Sequence, residues 1–247
     1  MIDYTQVKRT LEEAARAAPP THGSGQKCTI PGCGNPTMRA AGKGLAVFHC
    51  KRHVEHLARH GSLWHPTYPA ADLKPYLKTA AAWIKANRND PVVASAVYGI
   101  GLTFWMAGRS EIATRLRGMP PKRRAMIALA RVREAGIEPE RILAIALGTA
   151  ALIEEDPGSH RSREFRIVQT AKAVHRLASG YHRTWDFPLR DGTTAPYTIH
   201  AYPRSTGRVL RHIGEAIEKD SAAVIDAHLP AIVALKVETH GRIMPHM

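Results

Sequence analysis

The chain has 247 residues, 44% hydrophobic and 23% charged, which excludes wholesale disorder and allows one large domain or a small module on a larger core. Its 35 basic residues outweigh 21 acidic ones, for a net charge of +14 and a pI near 10.1. Such an excess points to polyanionic partners, because Lys and Arg displace counterions condensed on phosphates; a solubilising surface, or a basic face for an acidic protein, would be the bland alternatives.

In chain order, residues 1–20 have no apolar signal-peptide core and predict a short amphipathic helix stopped at Pro19-Pro20. A flexible linker, Thr21 to Lys27, enters a cysteine-bearing module over 21–62, whose last helix begins near Cys50 and is capped by Gly61. A basic helical domain over 63–180 follows. Asp72 to Lys85 carries Leu73, Leu77, Ala80, Ala81 and Ile84 at helical spacing. Asp90-Pro91 supplies an N-cap and a first-turn proline for the apolar stretch Val92 to Ala107. That stretch is shorter than the ~20 residues needed to cross a bilayer. Gly99 and Gly101 also interrupt it, so it reads as a buried core helix and no membrane partner is expected.

Ser110 can cap a helix through Leu116, and Pro120-Pro121 opens one that Gly136 should end. Pro139 begins another, up to the acidic loop Glu154 to Gly158. Ser159 or Ser162 then caps a long helix stopping at Gly180. Over 181–247 the pattern becomes a β-hairpin plus C-terminal helices. Thr184 to Arg190 and Thr193 to His200 flank Asp191-Gly192, a two-residue turn signal, and Pro188 and Pro196 restrict the strands to an edge-like ribbon. Ser205 caps a helix through Lys219, a second covers Ala222 to Val237 with a possible kink at Pro230, and the tail after Gly241 is loose. The expected fold class is mainly α: a helical domain with a small N-terminal cysteine-bearing module and a short C-terminal β-hairpin. The positive charge is concentrated in residues 1–136 and 161–183, whereas 137–160 are acidic and 184–247 balance.

All three cysteines lie between positions 28 and 50, so no disulfide framework spans the fold, and a metal site in a cytoplasmic protein explains both their number and their clustering. The spacing is Cys28-x4-Cys33-x16-Cys50-x2-His53. Three sulfurs and one imidazole nitrogen suit tetrahedral Zn2+ in a structural role, with a filled coordination sphere and no open position for water. Pro31-Gly32 lets the backbone turn tightly between the first pair, and Cys50 and His53, three apart, share one face of a helix. A knuckle followed by two ligands in a helix's first turn is the layout of a treble-clef finger. His49, His56 and His60 compete as ligands, but only His53 has helical geometry with Cys50; three unrelated buried cysteines are the bland alternative.

The segment CTIPGCGNPTMRAAGKGLAVFHCKRHVEHLARHGS resembles the small zinc fingers of phage and mobile-element proteins. Those run Cys, Gly-Cys, a spacer, Gly-Leu and Cys-x-x-His, then an Arg-rich helix ending in Arg-His-Gly. Here the matching residues are Cys28, Gly32-Cys33, Gly44-Leu45, Cys50, His53 and Arg59-His60-Gly61, with extra residues between Leu45 and Cys50. Such fingers accompany homing endonucleases and DNA-binding regulators, so the resemblance implies nucleic-acid contact without specifying any chemistry.

Arg39, Lys43, Lys51, Arg52 and Arg59 in or beside the finger could meet phosphate or base edges, or form a solvated face. Arg115, Arg117, Lys122, Arg123 and Arg124, with Arg131 and Arg133, surround the Pro120-Pro121 break; they suit a helix-turn-helix or a generic helical hairpin. A further set, from His160 and Arg161 to Lys172, His175 and Arg176, would line one long helix as a phosphate track or pair with the acidic loop. No catalytic constellation is legible. Asn87 and Asn89 have no suitable histidines for a nuclease metal. Gly108-Arg109-Ser110-Glu111 is only faintly similar to the first arginine segment of tyrosine recombinases and lacks its later partners. The expectation is therefore a zinc-containing nucleic-acid-binding protein of phage or mobile-element type, with double-stranded DNA the first partner and a regulatory or accessory role. The alternatives are a protein-interaction or homo-oligomeric assembly module, and a nuclease whose site is assembled from residues distant in sequence.

Overall fold

The computed structural model describes residues 26–37, 47–111, 116, 118–178, 181–201 and 205–242. The helix expected over residues 1–20 lies outside them, as do most of the short helix expected from Ser110 and the tail beyond residue 242. The chain divides into two compact units, Met1–Leu57 and Ala58–Met247. Seven helices and one hairpin occur among the described residues: α1 (Lys51–His60), α2 (Ala70–Ala86), α3 (Pro91–Met106), α4 (Pro121–Glu134), α5 (Pro139–Glu155), α6 (Arg163–His175), β1 (Tyr181–Pro188), β2 (Thr194–Ala201) and α7 (Gly207–His240). Among the described residues no helix is long and apolar enough to cross a membrane.

Proline sits in the first turn of α3, α4 and α5, where its missing N–H leaves no hydrogen bond unmade. Asp90 caps α3 by accepting from the backbone N–H of Val92 at 2.8 Å and of Val93 at 3.2 Å. Ser162, rather than Ser159, caps α6 through Phe165 N–H at 3.2 Å. Helix α4 ends where Gly136 enters positive φ (71°). There Gly136 N–H donates to Arg133 O and Ile137 N–H to Val132 O, the paired bonds of a Schellman motif.

The core of the larger unit is organised around α5, which is buried without interruption from Ile142 to Ile153. A helix apolar on all sides is stable only when neighbours cover every face. Here α2, α3, α6 and α7 do so, and α7 also packs against α2, α3, α4 and α6.

Five expectations need correction, four of them in the helices. The two C-terminal helices are one 34-residue helix, α7. The hydroxyl of Ser221 donates back to Ile217 O at 2.9 Å instead of capping a new start, and Val209, Ile213, Ile217, Val224, Ile225 and Ile232 form one buried stripe across the expected gap. Thr206, not Ser205, caps α7, because the Ser205 hydroxyl lies 2.6 Å from His175 Nε2. Helix α6 stops at His175, where Leu177 N–H bonds Val174 O and tightens the last turn well before Gly180. Helix α3 is not a buried core helix. It buries Val93, Ala96, Ile100 and Phe104 but leaves Tyr98 73% and Trp105 75% exposed.

The strands form a two-stranded antiparallel ribbon with Trp185 opposite Tyr197 and Thr184 opposite Thr198. Its turn is longer than two residues. Leu189 N–H bonds Thr193 O, Gly192 N–H bonds Leu189 O, and Gly192 takes φ 81°. This is a three-residue loop with a glycine bulge, fixed by the Asp191 carboxylate accepting from Thr193 N–H and Oγ1.

Candidate metal centre

The smaller unit is a hydrogen-bonded knuckle leading to a helix. Lys27 and Pro36 form an antiparallel bridge, Cys28 N–H donates to Asn35 O at 2.9 Å, and Cys33 N–H donates to Ile30 O at 3.0 Å. Gly32, at φ 76°, supplies the left-handed residue this turn requires. Thr29 N–H reaches Phe48 O at 2.9 Å, which draws the segment before Cys50 against the turn. Cys50 immediately precedes α1, and its carbonyl accepts from Val54 N–H at 3.1 Å, so His53 lies in the first helical turn.

This backbone brings Cys28, Cys33, Cys50 and His53 together, with one donor atom from each within 4.8 Å of all the others. The Cys33 and Cys50 sulfurs are 3.9 Å apart, and His53 Nδ1 lies 3.2 Å from Cys28 Sγ and 3.4 Å from Cys50 Sγ. A tetrahedral ion with bonds of about 2.3 Å to sulfur and about 2.0 Å to nitrogen has edges of roughly 3.8 Å and 3.5 Å. The observed separations fit that polyhedron, so the group can hold a metal ion. Its donors, thiolate and imidazole, are those that soft or borderline cations select.

Burial pushes the Cys28 thiol up, but hydrogen bonds from the Ile30 and Cys50 backbone and from the His53 and His49 imidazoles outweigh it and bring it down to about 6. The Cys33 thiol is lowered by the Asn35 backbone, yet burial and the neighbouring Cys50 and Cys28 sulfurs leave it raised on balance. Three sulfurs packed this closely repel as thiolates, and a cation removes that repulsion. Of the competing histidines, His49 Nδ1 is 3.0 Å from Thr29 Oγ1, and His60 Nδ1 is 2.8 Å from Thr67 Oγ1.

The expected nucleic-acid residues have varied surroundings. Arg39, Lys43, Arg115 and Arg117 lie outside the described residues. Lys51, Arg52 and Arg59 are exposed on α1, and Lys122 is exposed on α4. Arg123 pairs with Glu111 at 3.6 Å, and Arg124 is half-buried. Arg131 and Arg133 have structural contacts. Arg131 donates to Glu111 O, and Arg133 donates to Phe104 O and Gly108 O at the C-terminal end of α3. In the second basic set, Arg161 pairs with Glu154, and Arg163 and Arg166 both pair with Glu218. Burial pushes the Lys172 ammonium down to about 8, and it donates to Thr67 Oγ1.

Two buried polar clusters had no sequence signal. Lys236, fully buried, pairs with Glu155 at 2.6 Å and lies over the Tyr76 ring, while Tyr76 Oη donates to the same carboxylate oxygen at 2.7 Å. Asp156 accepts from Tyr68 Oη at 2.7 Å and lies 3.0 Å from His65 Nε2. Burial and these carboxylates hold both tyrosine hydroxyls above their ordinary range. The acidic run Glu154 to Asp156 is visible in sequence, though Glu154 and Glu155 belong to the last turn of α5 and not to a loop, and the partners of Glu155 and Asp156 are 79 to 91 residues away.

Compared with known protein families, curated proteins and solved structures, the chain matches none.

Proposed function

We propose that this chain is a nucleic-acid-binding protein of phage or mobile-element type, binding double-stranded DNA first, in which Cys28, Cys33, Cys50 and His53 hold one structural Zn2+. The observation that carries the reading is the position of the donor cluster on a basic lobe. Cys50 and His53 begin the helix whose first turn also presents exposed Lys51 and Arg52. When bound, the ion cross-links the knuckle to that helix and supplies folding free energy that a module this small cannot obtain from a core. The chain's own residues do the rest. Lys51 and Arg52 project from the start of the ordered helix, and the +14 charge concentrates the protein near a polyanion.

The test is a gel-shift series over salt concentration with duplex DNA, single strands and RNA, on protein containing one equivalent of zinc by elemental analysis. Duplex binding should weaken with salt, with a logarithmic slope of about −0.9 per phosphate contact. Charge reversal at Lys51 and Arg52, and separately at Arg115, Arg117, Lys122, Arg123 and Arg124, should lower affinity; unchanged affinity in both variants rejects the surface. A second reading, an assembly module with a structural zinc, is favoured by the internal pairing of Arg123, Arg161, Arg163 and Arg166. It predicts no retention on heparin or DNA.

A further inference from the structure

Helix α3 contains no ionisable acid or base in its 16 residues apart from the tyrosine hydroxyl, yet among the described residues it is packed on one side only. At 100° per residue, buried Val93, Ala96, Ile100 and Phe104 share one face. Ala94, Ser95, Tyr98, Leu102, Trp105 and Met106, all exposed, share the opposite one, in a stripe about 120° wide. Tyr98 is 73% exposed, Trp105 75%, Met106 61% and Leu102 45%.

Since an aromatic side chain offers roughly 150–250 Å² when fully buried, the stripe presents on the order of 500 Å² of largely apolar surface. Two copies in mutual contact would remove roughly 1,000 Å² from water, the lower bound for a specific interface.

We infer that this stripe is the interface of a homodimer in which α3 packs antiparallel against α3 of a second copy. The observations behind this are size and charge. The N-terminal half of the stripe is small (Ala94 and Ser95) and the C-terminal half is bulky (Trp105 and Met106). An antiparallel two-fold centred near Ile100 sets bulk against hollow, with Trp105 over Ser95, Met106 over Ala94, and Tyr98 beside Leu102 of the other copy. The same operation carries exposed Arg109, one residue beyond the C-terminal glycine, toward the partner helix's N-terminal Asp90. Nucleic acid is a poor occupant, because residues 91–108 offer no cation to meet phosphate. A membrane surface is disfavoured for the same reason, as interfacial helices carry Lys and Arg on their polar face.

The test is sedimentation equilibrium of the full-length, metal-loaded chain across the micromolar range. Wild type should be a dimer in reversible exchange with monomer. Trp105→Glu should weaken it by at least about thirtyfold, the size of an interface hot spot. Ser95→Glu, at the small end of the stripe and exposed, should weaken it comparably while leaving the helical circular dichroism unchanged, so a folding failure of the first variant does not decide the matter. A wild-type chain that stays monomeric throughout, or a Ser95→Glu variant that folds and dimerises as tightly as wild type, overturns the proposal.

Discussion

The two units are held together by different physics. Among the described residues of the smaller unit the buried side chains are Cys28 and Cys50, and no residue of α1 is buried. The larger unit buries twelve consecutive residues of α5 and fully encloses Tyr76, Phe165 and Ile213. Removing apolar area from water at about 25 cal/mol per Å² can stabilise the second kind of structure and not the first. The smaller unit instead has four metal donors converging on one point. A short segment can be ordered by one multivalent cross-link, whereas a long one is ordered by the area it removes from water.

The largest expected effect comes from removing the cross-link of the smaller unit. Removing the proposed ion by chelation should cost the smaller unit metal-binding free energy of about 10–16 kcal/mol and expose its three thiols to a thiol reagent, and Cys50→Ser should weaken metal binding and expose the two thiols that remain. The far-UV helical signal of α2 to α7 should be largely retained; its collapse would show that the units are not independently stabilised. Lowering the pH should act in the same direction. Each ligand must shed its proton to bind, so affinity falls as pH drops from 8 to 5, readable by competition with a colorimetric chelator.

Next, Glu155→Ala should destabilise the larger unit alone by about 3–5 kcal/mol in urea melts, because it leaves the Lys236 ammonium buried without a counter-charge. Adding Lys236→Met should restore much of the loss; no recovery would mean that packing around Tyr76, not charge, set the cost. Gly214→Ala should cost about 1–3 kcal/mol, since a Cβ there meets the Ile167 backbone carbonyl of α6 and forces α7 away from it. The matched change in the smaller unit, Gly34→Ala, should be silent in metal affinity and in melts, because no atom of the described residues lies within 4 Å of a Cβ placed there. The smallest effect expected is Asp90→Ala, about 1 kcal/mol from the lost α3 cap, measured as a shift in the urea midpoint of the larger unit.

Much of the fold is legible residue by residue. Helix starts at Pro91, Pro121 and Pro139, the Asp90 cap, and the stops at Gly61 and Gly136 are local features whose cause lies within four residues. The convergence of Cys28, Cys33, Cys50 and His53 is legible for a related reason. The tight Pro31-Gly32 turn and the three-residue step from Cys50 to His53 leave the backbone little freedom. Where local signals competed, the reading failed. Ser205 has cap chemistry, but His175, 30 residues away, takes its hydroxyl. The apparent break after Lys219 is bridged because α7 keeps one buried stripe across it.

Residue identity alone was enough for the helix starts at Pro91, Pro121 and Pro139, the stops at Gly61 and Gly136, the donor set of the candidate metal site and the sign of the charge. Packing set which arginines are spent on Glu111, Glu154 and Glu218, the burial of Lys236 against Glu155, and which face of α3 meets the core. The reason is range. Capping and metal-ligand spacing act over one or two turns, whereas burial and ion pairing depend on surfaces that meet only after the chain has packed.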